Sequence, residues 1–255
     1  MSEAFDYAIT RIPAETFDHG ITTANLGTPS YETVLNQHRA YTQALKSIGL
    51  NVIELDPLPD YPDAHFVEDT AVVTPEVAVI TNPGATSRQG EEQSIVNVLE
   101  DYRQIERIQA PGTLDGGDVL MIRNHFLIGI SERTNQQGAD QLGRILTDHG
   151  KTHTMIAVRA GLHLKSSINY VGQNTVIATP DFENHEALER YDKITTNLND
   201  SYAANTLWVN DHLLVPRGFP DTTARLRALG LPIIELDVSE MQKMDGGLTC
   251  LSIRF

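Results

Sequence analysis

The sequence predicts an α/β fold in which five ββα units repeat around one axis. Three observations carry this. Two short apolar strands, a turn and a polar helical stretch recur along the chain; a lone apolar strand stands near each terminus; and polar residues with reactive chemistry recur just ahead of the first strand of a unit. The first clear unit starts at Asp69, with AVV (71–73) and VAVIT (77–81) flanking a turn at 74–76 and a helix pattern after them. The second starts at Asp118. Its strands VLMI and HFLIGI flank Arg123-Asn124, and the helical stretch SERTNQQGADQLGRIL takes Ser131 as its expected N-cap. The third starts at Asn205, turns at Asn210-Asp211 and stops its helix at Gly230.

A weaker copy lies in HLKSSINYVGQNTVIATPDFENHEALERY (163–191). A fifth is assembled from the strand YAITRI, the helix pattern YETVLNQHRAYTQALKSIG and the distant strand CLSIRF. Sealing first and last strands into one unit would leave no exposed sheet edge at the seam. The spacing of the copies is irregular, and a two-layer α/β fold would give part of the same pattern. In a closed ring, the loops at one end converge on an axial mouth, where chemistry is expected. Glu68, Asp69, Asp115, Asp118, His163 and Cys250 all fall at or just before the start of an apolar strand.

Composition narrows the function. With 255 residues, 40% hydrophobic and 21% charged, the chain reads as one soluble globular domain spanning 1–255. A formal charge of -15 opposes binding to nucleic acid, which needs Lys and Arg to displace counterions. No apolar run reaches the roughly 20 residues of a membrane span. The start MSEAFDYAIT lacks the blocks of a signal peptide, so a cytoplasmic address is expected. Cys250 is the single cysteine, which excludes an internal disulfide and disfavours a thiolate zinc site. Lone cysteines are most often inert packing.

Cysteine, histidine and a carboxylate are the parts of thiol-based covalent catalysis. Asp115-Gly116-Gly117-Asp118 and Asp245-Gly246-Gly247 are low-bulk turns suited to close backbone approach, although two ordinary strand-entry turns would look the same. Asp63, Glu68 and Asp69 place three carboxylates ahead of a strand. That cluster suits a planar cation with several N–H donors, or serves only as turn and cap residues. Arg88 and Arg133 follow the second strands of two units, where either could receive an α-carboxylate or remain solvated.

These residues resemble the dimethylarginine dimethylaminohydrolase family of guanidine-modifying enzymes. The resemblance runs through FVED (66–69), TNPGATSR (81–88), APGTLDGGDVLM (110–121), GISERTNQQGA (129–139), GLHLKS (161–166), SYAAN (201–205) and KMDGGLTCLS (243–252). It implies a five-bladed pseudo-symmetric α/β propeller (pentein) of ββα(β) units. The activity implied is hydrolysis of Nω-methylated arginine to citrulline and methylamine or dimethylamine, through a cysteine thiouronium adduct. By the same resemblance, Cys250 is the nucleophile, His163 the general acid and base, and Asp115 the carboxylate that positions it. Asp63, Glu68 and Asp69 would hold the guanidinium or the polar end of the amino acid, Arg88 and Arg133 the α-carboxylate, and Ile21 would sit in a covering loop. No metal or organic cofactor is implied, the partner is a small molecule, and a homo-oligomer stays open. Ala64-His65, Ile21 and Asn82 stand where familiar members carry Ser-Val, leucine and arginine, which leaves selectivity open. An arginine deiminase and a non-catalytic binding pentein are the alternatives.

Overall fold

Each repeating unit enters through a single helical turn and runs up a short inner strand. It then reverses into an antiparallel middle strand and returns to an outer strand parallel to the middle one. A computed structural model describes this for residues 4–159 and 161–255. Inner, middle and outer strands are Ala71–Val73, Val77–Ile80 and Gln104–Arg107 in one unit, and Val119–Ile122, His125–Ile130 and Thr152–Ala157 in the next. Ile168–Tyr170, Thr175–Ala178 and Asp192–Thr195 follow, then Leu207–Val209, His212–Pro216 and Ile233–Leu236. In the fifth unit Ile253–Arg254 is the inner strand, Tyr7–Arg11 the middle and Asn51–Leu55 the outer.

Middle strands such as Val77–Ile80 are buried at every residue, because they are flanked by strands on both edges and covered on both faces. The reversals use residues that tolerate left-handed backbone. Asn210 and Asp211 have φ of 47° and 57°, as a two-residue hairpin turn requires. The outer strands leave no signature of their own in the sequence. QIER and DKIT are half exposed and largely polar, so no apolar pattern marks them.

Two local expectations are corrected. The helix Gln136–Asp148 begins on Asn135, whose side chain accepts a hydrogen bond from Gly138 N; the Ser131 hydroxyl instead accepts from the backbone N–H groups of Arg133 and Thr134. SERT is therefore a turn that aims Arg133, and the helix starts after it. In the weaker copy, helical turns at Pro180–Phe182 and Glu186–Leu188 stand in place of a full helix. Phe182 and Leu188, six residues apart, are too sparse to make an apolar stripe.

The seam closes as expected. Ala8 pairs with Arg254 and Ile9 with Ile253, so strands from the two ends of the chain share one sheet. Inner strands of all five units line an axial cavity of about 590 Å³. Among the described residues, no helix is long and apolar enough to cross a membrane.

Ile253 is buried in one cluster with Ile9, Val67, Ala71 and Ile80. Ile253→Ala should therefore cost about 2–5 kcal/mol in denaturant unfolding, the range for large-to-small core changes. A loss under about 1 kcal/mol would show that the seam carries little of the fold's stability.

Candidate active site

The helical turn that opens each unit is where the predicted residues gather. Val67–Thr70 carries Glu68 and Asp69, Gly116–Asp118 follows Asp115, Leu164–Ser167 follows His163, and Thr249–Leu251 holds Cys250. Four different units thus contribute to one site. One small cleft is lined by Ile21, Asp63, Asp69, Arg88, Arg133, His163 and Cys250, together with Phe66, Leu162 and Met244 to Gly246.

The glycines of DGG make this approach physically possible. A Cβ on Gly116 would lie 2.0 Å from the carbonyl oxygen of Glu68, and one on Gly117 would lie 2.7 Å from both Asp69 Oδ1 and His163 Nδ1. Any larger residue would push the acids and the imidazole apart.

His163 sits in a cage of acids. Its Nε2 is 3.0 Å from Asp115 Oδ2 and its Nδ1 is 3.9 Å from Asp69 Oδ1. Burial alone would favour the neutral ring, but Asp69, the bond to Asp115 and the charge of Asp118 outweigh it and hold the imidazolium up to about 9. Asp115 is fully buried and its other oxygen accepts from Gly84 N at 2.9 Å, so the orienting carboxylate is itself held from the neighbouring unit. Asp69 accepts from Gly117 N and from Arg88. Although burial opposes ionisation, His163 and Arg88 keep it charged, down to about 2.

The thiol has the opposite setting. Burial first, then the carboxylates of Glu68 and Asp69, push Cys250 up to about 12. The two shifts thus favour a protonated thiol and a protonated ring in the same cleft. A cation seated against Asp69 would offset the acids' share of that shift.

Other predicted residues are placed differently from one another. Asp63 accepts from the backbone N–H of Ile21 through both oxygens, at 3.2 and 3.1 Å, so it holds the covering loop. Thr22 donates to the carbonyl of Lys243, and Thr23 to the carboxylate of Asp245, latching the same loop to the segment that leads into Cys250. The cleft in this conformation encloses about 20 Å³, room for about one or two waters, so it would have to widen to take an amino acid.

Glu68 faces the axial cavity, where Oε1 receives Lys165 Nζ at 2.7 Å and Arg254 Nη2 at 2.8 Å. Its influence on the cleft is its charge. Arg88 is buried and gives its terminal nitrogens to Asp69, Glu91 and the carbonyls of Asp63 and Phe66. Only its Nε lacks a partner. Arg133, 3.9 Å from Asp115 Oδ2, is the less committed guanidinium.

Sequence reasoning missed several supports. Asp118 accepts from Ser131, Thr134 and the N–H of Leu164, so one buried carboxylate fixes both the Arg133 loop and the turn after His163. Glu91 braces Arg88 and was visible only as part of a polar GEE run. Asn205 and Arg254 grip the turn that holds Cys250. Asp69, Asp115 and His163 bring donor atoms within 4.8 Å of one another, the spacing of a metal site, but each is already engaged in hydrogen bonds or ion pairs of the cluster.

The arginine deiminase family model matches residues 34–212. The N(G),N(G)-dimethylarginine dimethylaminohydrolase of Pseudomonas aeruginosa is 39% identical over 98% of this chain and its own whole length. That of Streptomyces coelicolor is 33% identical over 96% of this chain and 90% of its own. A solved structure of a Cys-to-Ser variant of the Pseudomonas enzyme with citrulline superimposes with a TM-score of 0.96, at 39% identity, covering 99% of this chain and all of that one.

Proposed function

The chain belongs to the dimethylarginine dimethylaminohydrolase family, and from that premise we propose that it hydrolyses Nω-methylated arginine to citrulline and methylamine or dimethylamine. The observation that carries the reading is one cleft lined by a thiol, an imidazolium held by two buried acids, and a guanidinium able to take a carboxylate. Citrulline, bound by the Pseudomonas relative, is the product expected here. The whole chain is read as one catalytic domain working in the cytoplasm on a small molecule.

The guanidinium carbon resists attack because its charge is delocalised, so the site must localise that charge and present a strong nucleophile. Asp69 and Glu68 supply the negative field on the substrate's cation. With the cation seated, Cys250 gives its proton to solvent and the thiolate adds to the carbon; His163, still protonated, passes its proton to the departing methylamine or dimethylamine as the C–N bond breaks. An S-alkyl thiouronium remains on the sulfur. His163, now neutral, takes a proton from water; the hydroxide adds, the C–S bond breaks, and thiolate leaves as citrulline forms. Arg133 receives the α-carboxylate, with the Arg88 Nε–H as a second donor, while Asp63 and Ile21 hold the loop over the cleft. Asp115 keeps the ring aligned throughout.

The pH dependence follows from the two shifts. The reactive pair needs a thiolate and an imidazolium together, whereas below about pH 9 the free enzyme keeps both protons. kcat/KM should therefore rise with pH between 6 and 9. A profile flat across that interval would show that Cys250 is already ionised in the free enzyme.

Purified protein should be incubated with asymmetric dimethylarginine, monomethylarginine, arginine and agmatine, with citrulline and the released amine assayed. Citrulline with methylated amine from the first two supports the reading. Preferential release of ammonia from arginine would instead favour a deiminase, as the matching family model keeps in view. Inertness toward all four would leave a binding protein.

A further inference from the structure

Thr249 and Asn205 lie beneath the nucleophile and are bonded to each other in a definite direction. Asn205 is buried; its Oδ1 accepts from Thr249 N at 3.0 Å, and its Nδ2 donates to Thr249 Oγ1 at 3.1 Å and to the carbonyl of Lys165 at 3.2 Å. An amide N–H can only donate, so Thr249 Oγ1 accepts that bond and its own hydrogen is left to give. Among the described residues, the acceptor within reach of that hydrogen is Cys250 Sγ, 3.9 Å from Oγ1. Gly247 makes the arrangement possible, since a Cβ there would lie 2.5 Å from the Asn205 amide.

We propose that the Thr249 hydroxyl is a thiolate-stabilising donor to Cys250, and that Asn205 is the positioning residue that turns its hydrogen toward sulfur. The proposal deepens the hydrolase reading. Among the other near groups, the Gly247 backbone gives the sulfur a hydrogen bond, and the rest work on it through charge or burial. Glu68 and Asp69 oppose ionisation, and His163 favours it once protonated. The Tyr202 hydroxyl donates to the carbonyl of Gly246, while Asp63, Arg88, Arg133 and Asp245 border the same cleft. Lys165 and Arg254 are paired with Glu68 on the axial side. The threonine hydroxyl is the neutral side-chain donor among them, and its bond shortens as charge builds on sulfur.

The test is the pH dependence of Cys250 alkylation by iodoacetamide, in which the thiolate forms an S–C bond and iodide leaves. No substrate is needed, so the outcome is independent of whether methylarginine is turned over. Thr249→Val keeps shape and removes the hydrogen; the alkylation profile should move up by about one pH unit, with about tenfold slower reaction on the rising limb. Thr249→Ser should restore the wild-type profile. Asn205→Ala should give a smaller upward shift, because the hydroxyl then rotates freely. Should the valine variant fold poorly, Thr249→Ala reads the same shift, checked by circular dichroism. A wild-type profile in the folded Val or Ala variant overturns the proposal, as does a shift that persists in Thr249→Ser, which would mark packing as the cause.

Discussion

Cys250→Ser should lower kcat by at least about 10⁴-fold while leaving binding of a methylated arginine within a few-fold of the parent enzyme. A serine hydroxyl occupies nearly the same volume, so the cleft and its acids are undisturbed, but it does not ionise near neutral pH. The burial and the nearby acids that already push the thiol up to about 12 would oppose an alkoxide as well. Steady-state citrulline formation gives the rate and calorimetric titration gives the affinity. Residual turnover within about a hundredfold of wild type would remove Cys250 from the mechanism.

Replacing the imidazole comes next in size. His163→Ala should cost on the order of 10²–10⁴-fold in kcat, the usual contribution of a positioned acid or base. The loss should be unequal between the two half-reactions. An S-alkyl isothiourea analogue, whose thiol leaving group departs without help, should still form the adduct on Cys250. The adduct should then persist for want of a base to activate water, and intact-protein mass spectrometry would show it. Rapid clearance of that adduct would mean that some other group, Asp69 or Asp115, handles the water.

Much of this was readable from the chain because the fold repeats. Strand pairs separated by turn residues gave away the units, and the recurrence of reactive groups ahead of the inner strands gave away the mouth of the ring. The outer strands escaped because polar, half-exposed segments such as QIER carry no period. Asn135 was overlooked as a cap because Ser131 lay nearer the strand, and only the structure reveals that Ser131 serves the Arg133 turn instead. Side-chain direction was the harder part. Glu68 and Asp69 are adjacent in sequence, yet one turns to Lys165 and Arg254 on the axis and the other to His163 and Arg88 in the cleft. Supports such as Asp118 and Asn205 were invisible in their role, since a buried polar residue is recognised by the partners it finds.

The equivalent turns of four units bear Asp69, Asp115, His163 and Cys250, and no unit holds both the sulfur and the ring. A half-formed molecule therefore has nothing to react with: assembly is the on-switch. Turnover and the native fold should be lost together on heating or in denaturant, with no fragment or loosened intermediate retaining a trace of chemistry.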